Sequence, residues 1–306
     1  MRHKPTTHKL GFSLLELAFV LTIISIVIVG IAKGSKILQN AGLARAQSLT
    51  KSSPVIGMSN LVVWYESAMQ NSFKGDEAID GSSVGTWYNI SPYVNQLTTT
   101  TNAAQSTPAN QPTYVSSGIN GLPAIKFTRG SNSLASGSDC MSIVSGFDND
   151  TENVTVFIVW SPASLNAAND MALLEKWGGG VTAYPYVLRF NAGTSYIFSA
   201  YDQTVNPGLM DTATRTVGTP TLISASRIKN GIMKMWINGV QKGGDVTDNT
   251  VTSTTNTRNL YIGCRSNNFF VDGNIGEIII FNRTLTDDER KDIEQYLSKK
   301  WKIPVS

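Results

Sequence analysis

The acidic residues are the first candidates for chemistry, because two carboxylates can act as general acid and base on a glycosidic bond. Such a pair needs acids at i and i+2 or i+4 of one strand, about 5–9 Å apart. Glu277 lies in the run GEIIIFN without a second acid, and Glu152 and Glu175 also stand alone. The acids at 287–289 cluster at the start of a predicted helix, where they favour the helix dipole. We therefore predict that the chain is not an enzyme.

The histidines and cysteines exclude two further kinds of site. Both histidines, His3 and His8, lie in the basic segment MRHKPTTHKLG, so the rest of the chain offers no Ser-His-Asp or Cys-His arrangement. Cys140 and Cys264 are the only cysteines, too few for a zinc site. In an exported chain they form either a disulfide or two buried free thiols, and both alternatives stay open. No metal site and no resident cofactor is predicted.

Glu16 is unusual because it lies inside an apolar run at 12–32. The run is long enough to cross a bilayer, where one carboxylate costs about 2.5–3.5 kcal/mol. Residues 1–11 contain basic side chains and no acid, which predicts a cytoplasmic amino terminus. A cleavable secretory signal is disfavoured, since its apolar core has only about 7–15 residues. A plain membrane anchor is one interpretation.

A cut between Gly11 and Phe12 would explain the acid, because the new amine could pair with Glu16 within the helix or between subunits. The order GFSLLE at 11–16, followed by an uninterrupted apolar helix, resembles the amino terminus of type IV pilins and pseudopilins. The resemblance implies that a prepilin peptidase cleaves after Gly11 and that Phe12 is then methylated. It also implies that Glu16 docks each subunit into a fibre.

Charge separates this leader from the rest of the chain. The net charge is +3, and residues 1–11 carry all of it as Arg2, Lys4 and Lys9. The remainder therefore sums to zero and offers no basic surface for nucleic acid. With 15% charged residues and many Thr, Ser, Asn and Gly, the composition favours strands joined by polar loops.

The elements that position these residues are predicted mainly as strands. The helical pattern ends before Pro54, so we assign 1–11 to a leader peptide, 12–53 to a stem helix and 54–306 to a head. Apolar or alternating runs in the head predict strands at 61–65, 124–127, 141–144, 154–160, 186–190, 196–200, 221–227, 232–237, 260–264 and 276–282.

Turns, loops and one helix complete the predicted head. Asn238-Gly239 is fit for a two-residue type I′ hairpin turn. The Thr/Asn-rich segments 98–110 and 244–259 are predicted loops. Thr286 and Glu289 form a capping box that starts a short carboxy-terminal helix. The apolar face of that helix comprises Ile293, Leu297 and Trp301.

Four stretches of the head resemble the laminin-G-like, concanavalin-A-like jelly roll of bacterial surface proteins. They are LVVWYESA with VGTWYNIS, QPTYVSSGINGLPAIKF, MKMWINGV, and NIGEIIIFNRTLTDDERKDIEQYLSKKWKI. The expected fold class is therefore mainly β: a long amino-terminal helix, an antiparallel β-sandwich and a short carboxy-terminal helix.

Jelly-roll lectins hold sugars on aromatic residues and amide donors in their loops, often beside calcium. Two loops offer such residues here, although core or hairpin packing is the more common reason for residues of these types. Calcium would need several converging oxygen ligands, which the spacing does not show, so it stays an open possibility for the head. The candidate ligand-binding residues are Trp177, Tyr184 and Tyr186 in KWGGGVTAYPY, and Asn268, Phe269 and Asp272 in the second loop.

These features predict a pilin-like fibre subunit, minor or at the tip, whose lectin-like head serves adhesion. Its expected partners are the prepilin peptidase, other pilin subunits and a surface glycan or protein. Its expected location is the bacterial inner membrane, then a fibre in the periplasm and at the cell surface. The alternatives are a pseudopilin of a secretion or DNA-uptake system and a carbohydrate-active enzyme on a membrane anchor.

Overall fold

The structure is a computed structural model that divides into two compact units, Met1–Gly42 and Leu43–Ser306. Gly11 and Phe12, the predicted cleavage site, lie outside the residues that it describes. The described residues are 13–94, 101–130, 137–144, 152–165, 170–177, 183–191, 195–213, 215–266 and 268–306, without the side chain of residue 32.

The first unit contains most of helix α1, which runs from Leu14 to Lys51. Its apolar side chains are exposed, from Leu14 and Leu15 through Phe19 and Ile26 to Ile31. By length and composition this helix could cross a membrane, although a signal sequence meets the same criteria. The predicted boundary between stem and head after residue 53 stays a prediction.

The second unit contains sixteen strands and helix α2 (Asp287–Trp301) within the described residues. The strands are β1 (Leu61–Glu66), β2 (Thr86–Trp87), β3 (Ala103–Ala104), β4 (Thr113–Ile119), β5 (Leu122–Phe127), β6 (Met141–Ile143), β7 (Val154–Pro162), β8 (Met171–Glu175), β9 (Tyr184–Asn191), β10 (Ser195–Tyr201), β11 (Gly208–Asp211), β12 (Thr221–Arg227), β13 (Ile232–Ile237), β14 (Val240–Thr247), β15 (Leu260–Ile262) and β16 (Gly273–Phe281).

The strands form two antiparallel sheets that make a sandwich, as the sequence predicts. Sheet 1 has the order β14-β13-β12-β7-β16-β5-β4, and β1 also pairs with β16. Sheet 2 has the order β11-β10-β9-β8-β15-β6-β3-β2. The first half of β16 pairs with β5 and the second half with β1, so two strands share one of its edges.

Alternation along β7 shows why its central run VFIVW at 156–160 is apolar throughout. Val156, Ile158 and Trp160 face the core between the sheets, whereas Phe157 and Val159 face a second core. The second core also contains residues of α2 and of the last turns of α1. Because both faces of β7 are covered, no position on this strand needs a polar residue.

Several strands depart from the predictions. Ala103–Ala104 and the end of Val240–Thr247 fall in segments predicted as loops. Four further strands were not predicted: Thr86–Trp87, Thr113–Ile119, Met171–Glu175 and Gly208–Asp211. Cross-strand pairing, rather than local preference, makes such residues form strands: β14 pairs with β13, and β8 pairs with β9 and β15. The predicted type I′ turn agrees with φ angles of 51° at Asn238 and 79° at Gly239.

A buried ionic cluster joins the end of α1 to the sandwich. Lys300 Nζ lies 2.8 Å from Glu66 Oε1 and donates to Glu277 Oε2 at 2.7 Å. It also donates to Thr50 Oγ1 at 2.8 Å, which brings in α1. Burial raises the pKa of Glu66, and the ammonium of Lys300 opposes that rise. One cation is thus shared by two carboxyl groups where water is excluded.

Helix α2 begins with the predicted capping box. Thr286 accepts from the backbone of Glu289, and the Glu289 carboxylate accepts from the backbone of Thr286. Arg283 binds the same carboxylate through two hydrogen bonds, of 2.8 Å and 2.6 Å. The Arg283 hydrogen bonds and these cap bonds lower the pKa of Glu289 to about 2.

We expect Lys300→Met to lower the free energy of unfolding by about 3–5 kcal/mol, because Glu66 and Glu277 stay buried without their cation. Guanidinium unfolding of the full chain in detergent micelles, followed by tryptophan fluorescence, measures the loss. Lys299→Met, at an exposed position of the same helix, is the matched control and should cost less than about 0.5 kcal/mol. Equal midpoints for the two variants would contradict the role of the cluster.

Glu289→Gln should cost about 1 kcal/mol near pH 7, since much of its ion pair is solvent-screened. The pKa of Glu289 is lower in the folded chain than its ordinary value of 4.5, so its contribution exists above that pH. The contribution is lost as the pH falls through about 2. Unfolding free energies from pH 7 to pH 2 test this, with Asp288→Asn as control; a difference that persists at the acid end argues against the assignment.

Candidate functional site

The candidate site on the head is built around a buried ion pair. Glu175 ends β8, and Arg265 follows β15, which pairs with β8. Arg265 Nη2 donates to Glu175 Oε1 at 2.9 Å, and Nε donates to Oε2. Burial raises the pKa of the Glu175 carboxyl, and the Arg265 guanidinium opposes that rise. The pair fixes the plane of the guanidinium at the surface of sheet 2.

Two aromatic rings enclose that guanidinium and join the two predicted loops. The guanidinium carbon of Arg265 lies 3.9 Å from the ring centre of Trp177 and 4.2 Å from that of Phe269. Both rings are partly exposed. Backbone hydrogen bonds between Arg265 and Asn268, of 2.8 Å and 3.0 Å, hold the turn beneath Phe269. The structure therefore unites Trp177, Asn268 and Phe269 around an arginine that the sequence analysis did not select.

The remaining predicted residues have different places. Tyr184 lies in β9 beside Trp177 and Tyr201, with ring centres 5.4 Å and 5.6 Å apart. Tyr186 is 2% exposed and belongs to the core between the sheets, which removes its ring from the stacking surface that its loop suggested. Asp272 precedes β16, and its carbonyl oxygen accepts from Ala163 at 2.8 Å.

A disulfide also constrains the second loop. The structure joins Cys140 to Cys264 by a disulfide, with a Cα–Cα distance of 5.4 Å. Both cysteines are buried together with Phe270. The bridge connects the start of β6 to the residue that precedes Arg265, so it stiffens the turn that carries the aromatic residues.

Glu277 has no second acid on its own strand but has an acidic neighbour across the sheet. The register of β1 and β16 places it opposite Glu66, on an adjacent strand rather than on its own. Both are at most 1% exposed, and Glu277 also accepts from the indoles of Trp64 and Trp301 at 2.8 Å each. This carboxylate pair lies under α2, where a substrate does not reach it.

The sequence held a signal for one partner of the ion pair, Glu175. A single acid in the apolar run MALLE implies a buried carboxylate, which needs a cation. The identity of the cation depends on the pairing of β15 with β8. In the described part of the chain, no group of three or more His, Cys, Asp or Glu side chains could hold a metal ion.

A family model described as the concanavalin A-like lectin/glucanases superfamily matches residues 135–289. The chain belongs to this superfamily. The match covers β6 to β16 and includes both partners of the buried ion pair. No curated protein matches the chain. The head is therefore a lectin-like jelly roll.

Solved structures share this fold at low identity. They include the binding domain of Paraclostridial Mosquitocidal Protein 1 (TM-score 0.54, 13% identity, 78% of this chain and 52% of that one). The binding domain of botulinum neurotoxin DC in complex with SialylT has a TM-score of 0.52 and 11% identity, over 78% of this chain and 52% of that one. A Trypanosoma rangeli sialidase with the inhibitor DANA has a TM-score of 0.50 and 12% identity, over 78% of this chain and 33% of that one. The lectin-like chain thus spans a third to about half of these proteins, and the likeness concerns the fold.

Arg265→Met should lower the free energy of unfolding by about 3–5 kcal/mol, because the Glu175 carboxylate stays buried without its cation. The double variant Glu175→Gln/Arg265→Met removes that charge as well and should lose clearly less than the single variant. Urea unfolding of wild type, both single variants and the double variant measures the coupling. Additive losses would show that the two side chains do not depend on each other.

Proposed function

We propose that this protein is a pilin-like fibre subunit, minor or at the tip, which presents its lectin-like head to surface glycans. The observation that carries the proposal is an apolar helix surface interrupted by one acid at the pilin position. From Leu14 to Ile31 the large apolar side chains are exposed within their own unit. A surface of that size requires lipid or other copies of the helix around it.

Glu16 has a local role that is compatible with docking. Its carboxylate accepts from the backbone N–H of Ser13 at 2.8 Å, and the Ser13 hydroxyl accepts from the N–H of Glu16 at 3.2 Å. This capping box holds the acid at the helix start. Phe12 precedes that cap in the sequence, and cleavage would give it a free amine as a cationic partner for the acid of the same or a neighbouring subunit.

The far end of the same helix supports the idea of a stem that carries a head. Residues from Leu43 onward belong to the compact unit of the sandwich. Ala46 and Thr50 are each 2% exposed, and Gln47 donates to the carbonyl of Ala68 at 2.9 Å. The last turns of the helix are thus part of the head's own core. A fibre that binds the helix therefore also retains the sandwich.

The head supports a glycan-binding role through its superfamily and through the rings of Trp177 and Phe269. Aromatic faces pack against the apolar faces of sugars, and a stacked arginine fixes the rings in advance. The expected location follows from the stem: the inner membrane before assembly, and a periplasmic or surface fibre afterwards.

Mass spectrometry of purified fibres tests the proposal. We expect a chain that begins at methylated Phe12 and is much less abundant than the major subunit. Glu16→Ala should reduce its recovery in fibres by about tenfold or more, because the docking acid is gone, while cleavage and membrane levels stay unchanged. Ser25→Ala, further along the same helix, keeps both the acid and its cap and is the matched control.

A chain that keeps residues 1–11, or full fibre recovery of Glu16→Ala, would overturn the fibre role. Labelling of intact cells separates the alternatives, because the head of a pseudopilin stays protected. Hydrolysis of glycans by the full chain would favour the anchored enzyme instead.

A further inference from the structure

One row of side chains crosses the outer face of sheet 2. The pairing registers place Thr86 opposite Ala104, Ala104 opposite Ser142, Ser142 opposite Tyr261, and Tyr261 opposite Glu175. Directly opposed residues share a face, so these five side chains point away from the core. Their chain neighbours point inward and belong to the core between the sheets: Trp87, Ala103, Met141, Ile143, Leu260, Ile262 and Leu174.

The two ends of the row differ in chemistry. At one end, the strands β2, β3 and β6 carry a groove of about 490 Å³. At the other end, Glu175 binds Arg265, and the guanidinium lies between Trp177 and Phe269. Four strand-to-strand steps of about 4.8 Å separate the ends, a span of roughly 19 Å.

The groove is polar but carries no acidic or basic side chain. Hydroxyls and amides provide its hydrogen-bonding groups, and Ala104 and Val144 provide small apolar contacts. The polar lining consists of Thr86, Tyr88, Asn102, Gln105, Ser106 and Ser142.

Hydrogen bonds fix part of this lining before any ligand arrives. Gln105 Nε2 donates to the carbonyl of Cys140 at 2.7 Å, next to the disulfide. Gln105 Oε1 accepts from the backbone of Thr107 at 3.0 Å, and Asn102 Oδ1 accepts from the backbone of Asn89 at 3.0 Å. Side chains held in this way lose little conformational entropy on binding.

The aromatic end adds no net charge either, because Glu175 neutralises Arg265. Along the described residues of the row, therefore, an anionic sugar finds no unneutralised cation to balance its carboxylate, and burying that carboxylate would be costly. A neutral sugar needs only hydroxyl and amide partners and an aromatic face, and the row offers both.

We propose that this row binds an uncharged oligosaccharide that lies across the strands of sheet 2, with hydroxyl contacts in the groove and stacking at Trp177 and Phe269. This inference rests on the proposed glycan-binding role of the head and specifies its ligand class. The span between the two ends is longer than a single sugar ring, so the ligand is an oligosaccharide rather than a monosaccharide.

The test uses the full chain in detergent micelles on an array of neutral oligosaccharides, their monosaccharides and their sialylated forms. We expect binding to neutral oligosaccharides and weaker binding to the other two sets. Ala104→Trp should weaken binding more than about tenfold, because an indole fills the groove from an exposed position. Ala213→Trp, at another exposed alanine, is the control and should bind like wild type. Trp177→Ala should weaken binding at the other end.

The outcomes separate this inference from the proposed function. If Ala104→Trp still binds neutral oligosaccharides, or if the chain binds only sialylated forms, the row is not the binding site proposed here. The glycan-binding role of the head would remain intact. Binding of no glycan by a chain whose unfolding midpoint is normal overturns both. Thr86→Val removes one groove hydroxyl at nearly constant volume, and a measurable loss of neutral binding in that variant supports the groove directly.

Discussion

The structure of the head depends on one buried cation. Lys300 lies among Glu66, Glu277 and Thr50, at the junction of α2, two strands of sheet 1 and the last turns of α1. Charges in such a place are tolerated only when all partners are present. The cluster therefore couples the formation of the carboxy-terminal helix to that of the outer face of the sheet. It also makes the end of the stem helix part of the same core.

The other face of the sandwich carries the surface for which we propose recognition. The central strands β7 and β12 of sheet 1 are buried on both faces, whereas the outer face of sheet 2 carries partly exposed hydroxyls, amides and aromatic rings. Another buried ion pair, Glu175 with Arg265, belongs to that face and orients aromatic rings. The cluster around Lys300 thus stabilises the fold, whereas this pair orders a surface.

Much of the fold was predictable because local patterns agreed with tertiary packing. Runs such as VTVFIVW, the Asn238-Gly239 turn and the capping box at Thr286 each have a local physical cause. The strand at 171–175 was not predicted because MALLE has no β-branched residue, and its strand conformation comes from pairing with its neighbours. The candidate loops were chosen by composition, and composition cannot tell exposed rings such as Trp177 from core rings such as Tyr186.

The sequence by itself determined the apolar stem with its single acid, the neutral head, and the alternation that makes strands, because these depend on residue type and short spacing. Only the tertiary structure decided which charged residues lie side by side. Glu66 and Glu277 are 211 positions apart, from 277 minus 66, and Arg265 is 90 positions from Glu175. Strand register brings them together, and register follows from the packing of the whole sandwich rather than from any local segment.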